Sequence, residues 1–194
     1  MNVLMVIAHP NPASFNYALL DSVQRGLQSV GHTTRIRDLY KQPFPPVLEA
    51  QELAGLQEGR IAPAVKAEQD GISWADGLVF IYPLWWFDRP AILKGWCDRV
   101  FTHGFAFRYD EKGVQGLLPQ RKAMVMVTAG GAKQEFEKMQ VNPEQLLTSM
   151  TRGTLGYCGV EDVRGHLYFD VGGLSDEQRA EILAEAEMLG ASLG

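Results

Sequence analysis

Cysteine is scarce: the 194 residues contain two, Cys97 and Cys158. They form no CxxC, which sets aside a thioredoxin-like pair and a zinc ribbon and leaves two reduced thiols of a reducing compartment. Basic residues do not cluster. The 18 Lys and Arg are spread along a chain of formal net charge −5, with no block that would grip nucleic acid or an anionic membrane. Long apolar runs are missing too. The longest mostly apolar stretch, Leu78–Phe87, falls far short of the ~18 residues of a membrane span, and Met1–Ala8 lacks the basic lead of a signal peptide. There is no N-x-[ST] glycosylation acceptor, no HExxH, no GxGxxG and no GxxxxGK[ST]. Zincin chemistry, a Rossmann-type dinucleotide site and a triphosphate P-loop are therefore disfavoured. His32, His103 and His166 are scattered without metal-ligand spacing, so no metal is expected. These absences point to a cytoplasmic chain that neither inserts into a membrane nor binds nucleic acid.

What is present is a chain of ordinary apolar content, 46% hydrophobic, with a mild excess of glycine, 20 residues, against an average of about 7%. Its length suits one domain over residues 1–194. Val3–Ala8 is a continuous apolar run ending at His9-Pro10, as expected of a strand buried on both faces. Phe15, Ala18, Leu19, Val23, Leu27 and Val30 then recur at helical spacing, between Ser14 as an N-cap and Gly31 as a stop. Thr33–Leu39 reads as a second strand, and residues 41–62, with three prolines, as an irregular connection of a length that is usually functional or holds a short helix. Pro63–Trp74 reads as a helix, Gly77–Tyr82 as a buried strand and Pro90–Phe101 as a helix with Pro90 in its first turn. Ala123–Thr128 is a further buried strand, Pro143–Tyr157 a helix and Val163–Phe169 a strand. Ser175 and Gln178 make a capping box that opens a last helix. Five strands alternating with five helices predict an α/β fold, a parallel sheet with helices on both faces.

Ligands of such sheets bind beyond the carboxyl ends of the strands, and three segments there carry candidate chemistry. His9–Asn16 leads into a helix N-terminus, where Ser14, Asn16 and free amides form an anion cradle, although a plain capped helix start fits equally well. Trp85, Trp86 and Phe87 follow a strand that is already buried. They suit a flat aromatic ligand or a subunit interface, or a local cluster under the loop. Thr128–Ala132 contains Gly130 and Gly131, which let backbone amides approach a ligand closely, or simply make a turn. Cys97 and Cys158 read as packing residues rather than nucleophiles.

Together the ordered segments AHPNPASFNYAL (8–19), AEQ (67–69), YPLWWFDRPAILKGWCDRVF (82–101) and TAGG (128–131) resemble the flavodoxin-like NAD(P)H:quinone oxidoreductases. The resemblance covers nearly the whole chain. It implies a flavodoxin-like, doubly wound five-stranded parallel sheet in the order 2-1-3-4-5, and hydride transfer from NADH or NADPH through a flavin to a quinone-like acceptor. It implies FAD, with FMN in some smaller bacterial relatives. His9, Ser14, Phe15 and Asn16 would hold the flavin phosphates, and Gln69 would sit near the adenine side of an FAD. Pro83, Leu84, Trp85, Trp86 and Phe87 would line the ring, while Thr128, Gly130 and Gly131 would bond its pyrimidine edge. Phe107 and Tyr109 would cross a homodimer interface into the partner's active site, so that with Trp86, Phe87, Gly130 and Gly131 they surround the reacting centre. Phe136 and Asn142 stand where larger relatives place a tyrosine and a histidine, and neither can relay a proton. Two further roles stay open from the resemblance: a regulatory subunit of a potassium-efflux transporter, and an electron-carrier flavodoxin.

Overall fold

A computed structural model describes residues 1–42 and 44–194; Pro43, one of the three prolines in the irregular stretch, lies outside them. Five strands form one parallel sheet: β1 (Asn2–Ile7), β2 (Thr33–Asp38), β3 (Gly77–Pro83), β6 (Lys122–Thr128) and β7 (Asp162–Tyr168). Their spatial order is β2-β1-β3-β6-β7, which is the expected 2-1-3-4-5 once only strands of this sheet are counted. The central strands read as unbroken apolar runs because alternate residues feed two different cores. Leu4, Val6, Phe80, Tyr82, Val125 and Val127 face one side, and Val3, Met5, Val79, Ile81, Met124 and Met126 face the other. With helices covering both faces, polar side chains are confined to the strand ends, such as Asn2, Lys122 and Thr128.

The second core is closed by α1 (Phe15–Ser29) and α7 (Asp176–Ala191). These helices meet through glycine: a Cβ on Gly26 would collide with the Glu187 carbonyl, and one on Gly190 would come within 2.5 Å of the Val23 carbonyl. The first core is covered by α3 (Pro63–Trp74), α4 (Ala91–Val100) and the segment after β6.

The 41–62 connection holds a short helix, α2 (Ala50–Gln57), one of the two expectations for a connection of that length. Four features differ from the sequence expectation. A hairpin of β4 (Phe107–Asp110) and β5 (Gly113–Gly116) stands apart from the main sheet, with Gly113 at φ +109° in its turn. A one-and-a-half-turn helix, α5 (Lys133–Lys138), follows the glycine pair. The expected 143–157 helix is α6 (Pro143–Met150) continued by a π-helix, Thr151–Gly156. The apolar spacing of these residues cannot separate α from π winding, and π turns are uncommon outside functional regions. Pro90 is the residue before α4 rather than in its first turn.

Candidate functional site

The carboxyl ends of β1, β3 and β6 bring the three loops together. Leu84 donates its amide to the Thr128 carbonyl at 2.7 Å, joining the loop after β3 to the end of β6. Asn16 Nδ2 donates to Thr128 Oγ1 at 2.9 Å, joining the start of α1 to the same residue. His9 lies with its ring centroid 6.0 Å from that of Trp85.

The first loop is held open by its own side chains. Asn11 donates its amide to His9 Nδ1 at 3.0 Å, and Ala13 donates to Asn11 Oδ1 at 2.9 Å. Nδ1 also lies 3.1 Å from the Asn11 carbonyl, so both loop contacts use Nδ1 and Nε2 is the ring nitrogen left to meet a ligand. Ser14 precedes α1 in the N-cap position, yet its hydroxyl makes no capping bond. Ser14 Oγ and Asn16 Oδ1 are buried and have no hydrogen-bond partner among the described residues. Unpaired buried polar atoms are costly, each on the order of 1–3 kcal/mol, and these two lie at a helix N-terminus, where a phosphate or similar acceptor-rich ligand is stabilised. Ser14, whose hydroxyl can donate, and the amides of Phe15 and Asn16 fit such a ligand. Asn16 Oδ1 can only accept.

This loop is braced by β2. Tyr17 donates its hydroxyl to Asp38 Oδ2 at 2.6 Å, and the Tyr40 and Lys41 amides donate to Oδ1 at 3.1 and 3.0 Å. Burial pushes the Asp38 carboxyl up, but the Tyr17 hydroxyl, the two amides and the Lys41 ammonium outweigh it and hold it below the usual carboxylate value. A carboxyl whose folded pKa is depressed contributes stability that is present above its unfolded value, about pH 4, and is lost as pH falls through the folded value. Asp38→Asn should thus cost about 1–2 kcal/mol at pH 7 in urea unfolding, with the gap to wild type closing below about pH 4. A gap that stays constant down to pH 3 would show that the charge is not what matters.

The second loop is a two-residue hairpin. Trp85 and Asp88 exchange backbone hydrogen bonds of 2.9 and 3.1 Å, and Trp86 and Phe87 between them have φ of +51° and +63°. Positive φ at both central positions is the geometry that ordinarily selects Asn-Gly. Two aromatic residues there store strain of roughly 1–3 kcal/mol each. Phe87 is held against Phe136 at 5.7 Å, and Asp88 Oδ1 accepts from Ser149 Oγ at 3.3 Å. Trp86 is 97% exposed, with no ring contact or side-chain hydrogen bond among the described residues. The strained turn thus presents a bare indole to solvent without packing it. Pro83 is buried at the end of β3, and Leu84 is half-buried beside Ala129 and Phe136.

In the third loop Thr128 is buried, and since its Oγ1 accepts from Asn16 its hydroxyl hydrogen is free to donate. Gly130 is exposed, and a Cβ there would meet nothing within 4 Å, whereas one on Gly131 would lie 2.8 Å from Glu135 Oε2 and 3.2 Å from the Phe136 ring. Only the first of the two glycines faces open space.

Other expected site residues lie elsewhere. Gln69 is 3% exposed, and its Nε2 donates to the Val100 carbonyl and Thr102 Oγ1, both at 3.0 Å, tying α3 to the end of α4. Only its Oε1 is left to meet a ligand, and its bonds do not reach the three loops. Phe107 and Tyr109 stand on the β4–β5 hairpin. Phe107 packs against Tyr157 at 5.3 Å, and the Tyr109 and Tyr157 hydroxyls are 3.0 Å apart. Their ring contacts are with each other, His103 and Tyr157, not with Trp85, Trp86 or Phe87. Tyr157 carried no sequence signal, because it follows the π-helix rather than a strand end. Phe136 is buried between Phe87 and Phe169, and Asn142 caps α6, its Oδ1 accepting from the Glu144 amide at 3.0 Å. Burial pushes the Cys97 thiol up to about 12 and the Cys158 thiol up to about 11, which suits packing rather than nucleophilic roles. Residues 190–194, Gly-Ala-Ser-Leu-Gly, have serine-hydrolase spacing, but they close α7, where Ser192 Oγ donates to the Leu189 carbonyl at 2.9 Å. That chemistry requires a strand-to-helix elbow.

The chain is similar to known proteins along nearly its whole length. The chain is 34% identical over 184 residues to a Haemophilus influenzae protein named an uncharacterized NAD(P)H oxidoreductase, covering 94% of this chain and 91% of that one. It is 32% identical over 200 residues to NAD(P)H dehydrogenase [quinone] 1 of Cavia porcellus, covering 93% of this chain and 73% of the relative. Among solved structures, the NAD(P)H:quinone oxidoreductase from Methanothermobacter marburgensis superimposes with a TM-score of 0.89 at 33% identity, over 100% of this chain and 99% of that one. No helix among the described residues is long and apolar enough to cross a membrane. The model of the Flavodoxin_2 family, described as a flavodoxin-like fold, matches residues 1–189, and the chain belongs to that family.

Proposed function

We propose that the chain, as one domain over residues 1–194, is a flavin-dependent oxidoreductase that passes two electrons from NADH or NADPH to a quinone-like acceptor. The observation that carries the reading is the orphaned buried hydroxyl of Ser14 at the N-terminus of α1, beside an exposed, strained aromatic turn. The oxidoreductase names of the relatives support it. A bound flavin would supply the capacity to accept a hydride and release two electrons.

The residues do the rest. His9 through Nε2, the Ser14 hydroxyl and the first amides of α1 would hold the flavin's phosphate. Trp85, Trp86 and Phe87 would lie along its ring. The Thr128 hydroxyl and the amides around Gly130 would supply hydrogen-bond donors to the ring edge. Phe136 has no donor to add, and the Asn142 amide oxygen is used as a cap, so those donors would come mainly from the backbone. The cofactor is read as FAD, the protein as a homodimer in which Phe107 and Tyr109 reach the partner's site, and the compartment as the cytoplasm.

Incubation with FAD and with FMN, removal of excess, and mass identification of the flavin that stays bound tests the cofactor. The NAD(P)H oxidation rate with a quinone tests the reaction. Protein that stays colourless with both flavins ends the proposal. Flavin retained with negligible turnover, and co-purification with a membrane transporter, would favour the regulatory role instead. Sedimentation showing only a 21.5 kDa species with full activity would remove the dimer.

Trp86→Ala should leave the melting temperature of the flavin-free protein unchanged, because the indole makes no ring contact or side-chain hydrogen bond among the described residues. It should weaken flavin binding or slow turnover several-fold, an aromatic contact being worth on the order of 1 kcal/mol beyond buried area. Unchanged affinity and rate would return Trp86 to the surface.

A further inference from the structure

The three loops give an acceptor little to take a proton from. Phe136 has no hydroxyl, and Asn142 is used as the cap of α6. Asp88 Oδ1 accepts from the Arg89 amide at 2.7 Å and from Ser149 Oγ at 3.3 Å, and Lys133 pairs with Glu137. The Thr128 hydroxyl is an aliphatic alcohol, far too weak an acid.

The hairpin carries what the loops lack. Tyr109 on β4 and Tyr157 after the π-helix hold their hydroxyl oxygens 3.0 Å apart. The frame around them is made of rings. Phe107 meets Tyr109 and Tyr157 edge-on at 5.7 and 5.3 Å, and His103 stacks on Tyr109 at 6.1 Å. Both phenols still reach solvent, Tyr109 being 64% and Tyr157 39% exposed. In a pair of hydroxyls only one hydrogen lies between the oxygens. Whichever oxygen accepts keeps its own hydrogen for a third atom. Hydrogen bonding with Tyr109 holds the Tyr157 hydroxyl above the usual phenol value, so it stays protonated at neutral pH. Within one protomer neither ring contacts Trp85, Trp86 or Phe87 among the described residues.

We infer that the Tyr109–Tyr157 pair is the proton source for the quinone-like acceptor in the partner subunit's site, Tyr109 touching the acceptor and Tyr157 resupplying Tyr109. This rests on the flavin and homodimer readings above. Reduction of a quinone to a hydroquinone adds one hydride and one proton. The hydride, carrying both electrons, comes from the reductant. The Tyr109 O–H bond breaks as an O–H bond forms on the second quinone oxygen. Tyr157 passes its proton to the Tyr109 oxygen, and solvent water replaces it. Transfer from a phenol to a developing phenolate is between like oxygens and so is close to thermoneutral.

Ferricyanide separates the two transfers, because it takes electrons and no proton. Flavin-loaded protein, photoreduced, is mixed in stopped flow with menadione, a naphthoquinone, or with ferricyanide. Tyr109→Phe and Tyr157→Phe keep the rings and remove the hydroxyls. Each should slow reoxidation by menadione about tenfold or more, toward the low end of what a positioned acid contributes, with the ferricyanide rate unchanged. The double variant should be no slower than Tyr109→Phe, because the hydroxyls act as one chain. Without turnover, menadione titrated into the oxidised protein should bind Tyr109→Phe several-fold more weakly and Tyr157→Phe as it binds wild type. Equal slowing with both oxidants, no slowing with menadione, additive losses in the double variant or unchanged menadione affinity in Tyr109→Phe would each overturn the pair and leave the flavin and dimer readings standing. Wild-type protein that holds no flavin, or that is fully active as a monomer, would end those readings and the pair's role with them.

Discussion

Asn16→Leu should lower flavin affinity by about tenfold or more while leaving the flavin-free protein as stable as wild type. Asn16 is 3% exposed and bonds Thr128 Oγ1 through Nδ2, while its Oδ1 has no partner. Leucine is close in size and removes both the bond and the orphan. Losing one buried hydrogen bond costs about 1 kcal/mol, and removing an unsatisfied buried acceptor returns a similar amount. The two nearly cancel in the empty protein. With ligand bound they do not cancel. Asn16 joins the α1 N-terminus to the end of β6, so its loss releases the phosphate cradle from the ring-edge loop, and positional precision is lost from both ends of one ligand. Fluorescence titration of flavin together with thermal unfolding of the flavin-free protein separates the cases. A purely structural Asn16 would give the opposite pattern: a lowered melting temperature and unchanged affinity.

That pattern of stability yielding to function explains what the sequence could and could not reveal. The parallel sheet was legible because Val3–Ala8, Gly77–Tyr82 and Ala123–Val127 run apolar almost without interruption, and only strands covered on both faces tolerate that. The three loops were legible as strand ends. The strain at Trp86 and Phe87 was not, because nothing in a Trp-Trp-Phe run predicts left-handed backbone. That conformation is imposed by the Trp85–Asp88 exchange and by Phe87 against Phe136. Gln69 shows the converse. Position in a motif marked it as a site residue, while its hydrogen bonds go to the end of α4. The β4–β5 hairpin escaped notice because Arg108-Tyr109-Asp110 and Val114-Gln115 are too short and too polar to alternate visibly, and Tyr157 escaped because its partner Tyr109 is 48 residues away. Pairings of this kind depend on tertiary contact and leave no periodic trace.

Gly130→Val should abolish flavin binding with little change in the fold, and Gly131→Val should not behave the same way. The two glycines are adjacent but open onto different surroundings. A side chain at 131 points into the protein, 2.8 Å from Glu135 Oε2 and 3.2 Å from Phe136. Glu135 Oε2 accepts the Ala132 amide at the start of α5, and Phe136 supports Phe87. Valine at 131 therefore displaces the cap and the aromatic support together. Overpacking of this kind costs roughly 1–3 kcal/mol, and flavin affinity falls only as a consequence of that damage. At 130 a Cβ meets no atom within 4 Å, and φ is not in the left-handed region. The branched side chain costs the empty protein little, since its space belongs to the solvent. If that space is where a flavin edge receives the backbone amides, the two methyl groups occupy it. The approach of donor to acceptor, 2.7–3.2 Å for a hydrogen bond, is then sterically barred, and a weakening of about a hundredfold or more is expected. Thermal unfolding of both flavin-free variants and flavin titration of each decide the matter. A Gly130→Val protein that binds flavin normally would place the ring edge elsewhere, even if Gly131→Val is defective, because the latter defect follows from the fold alone.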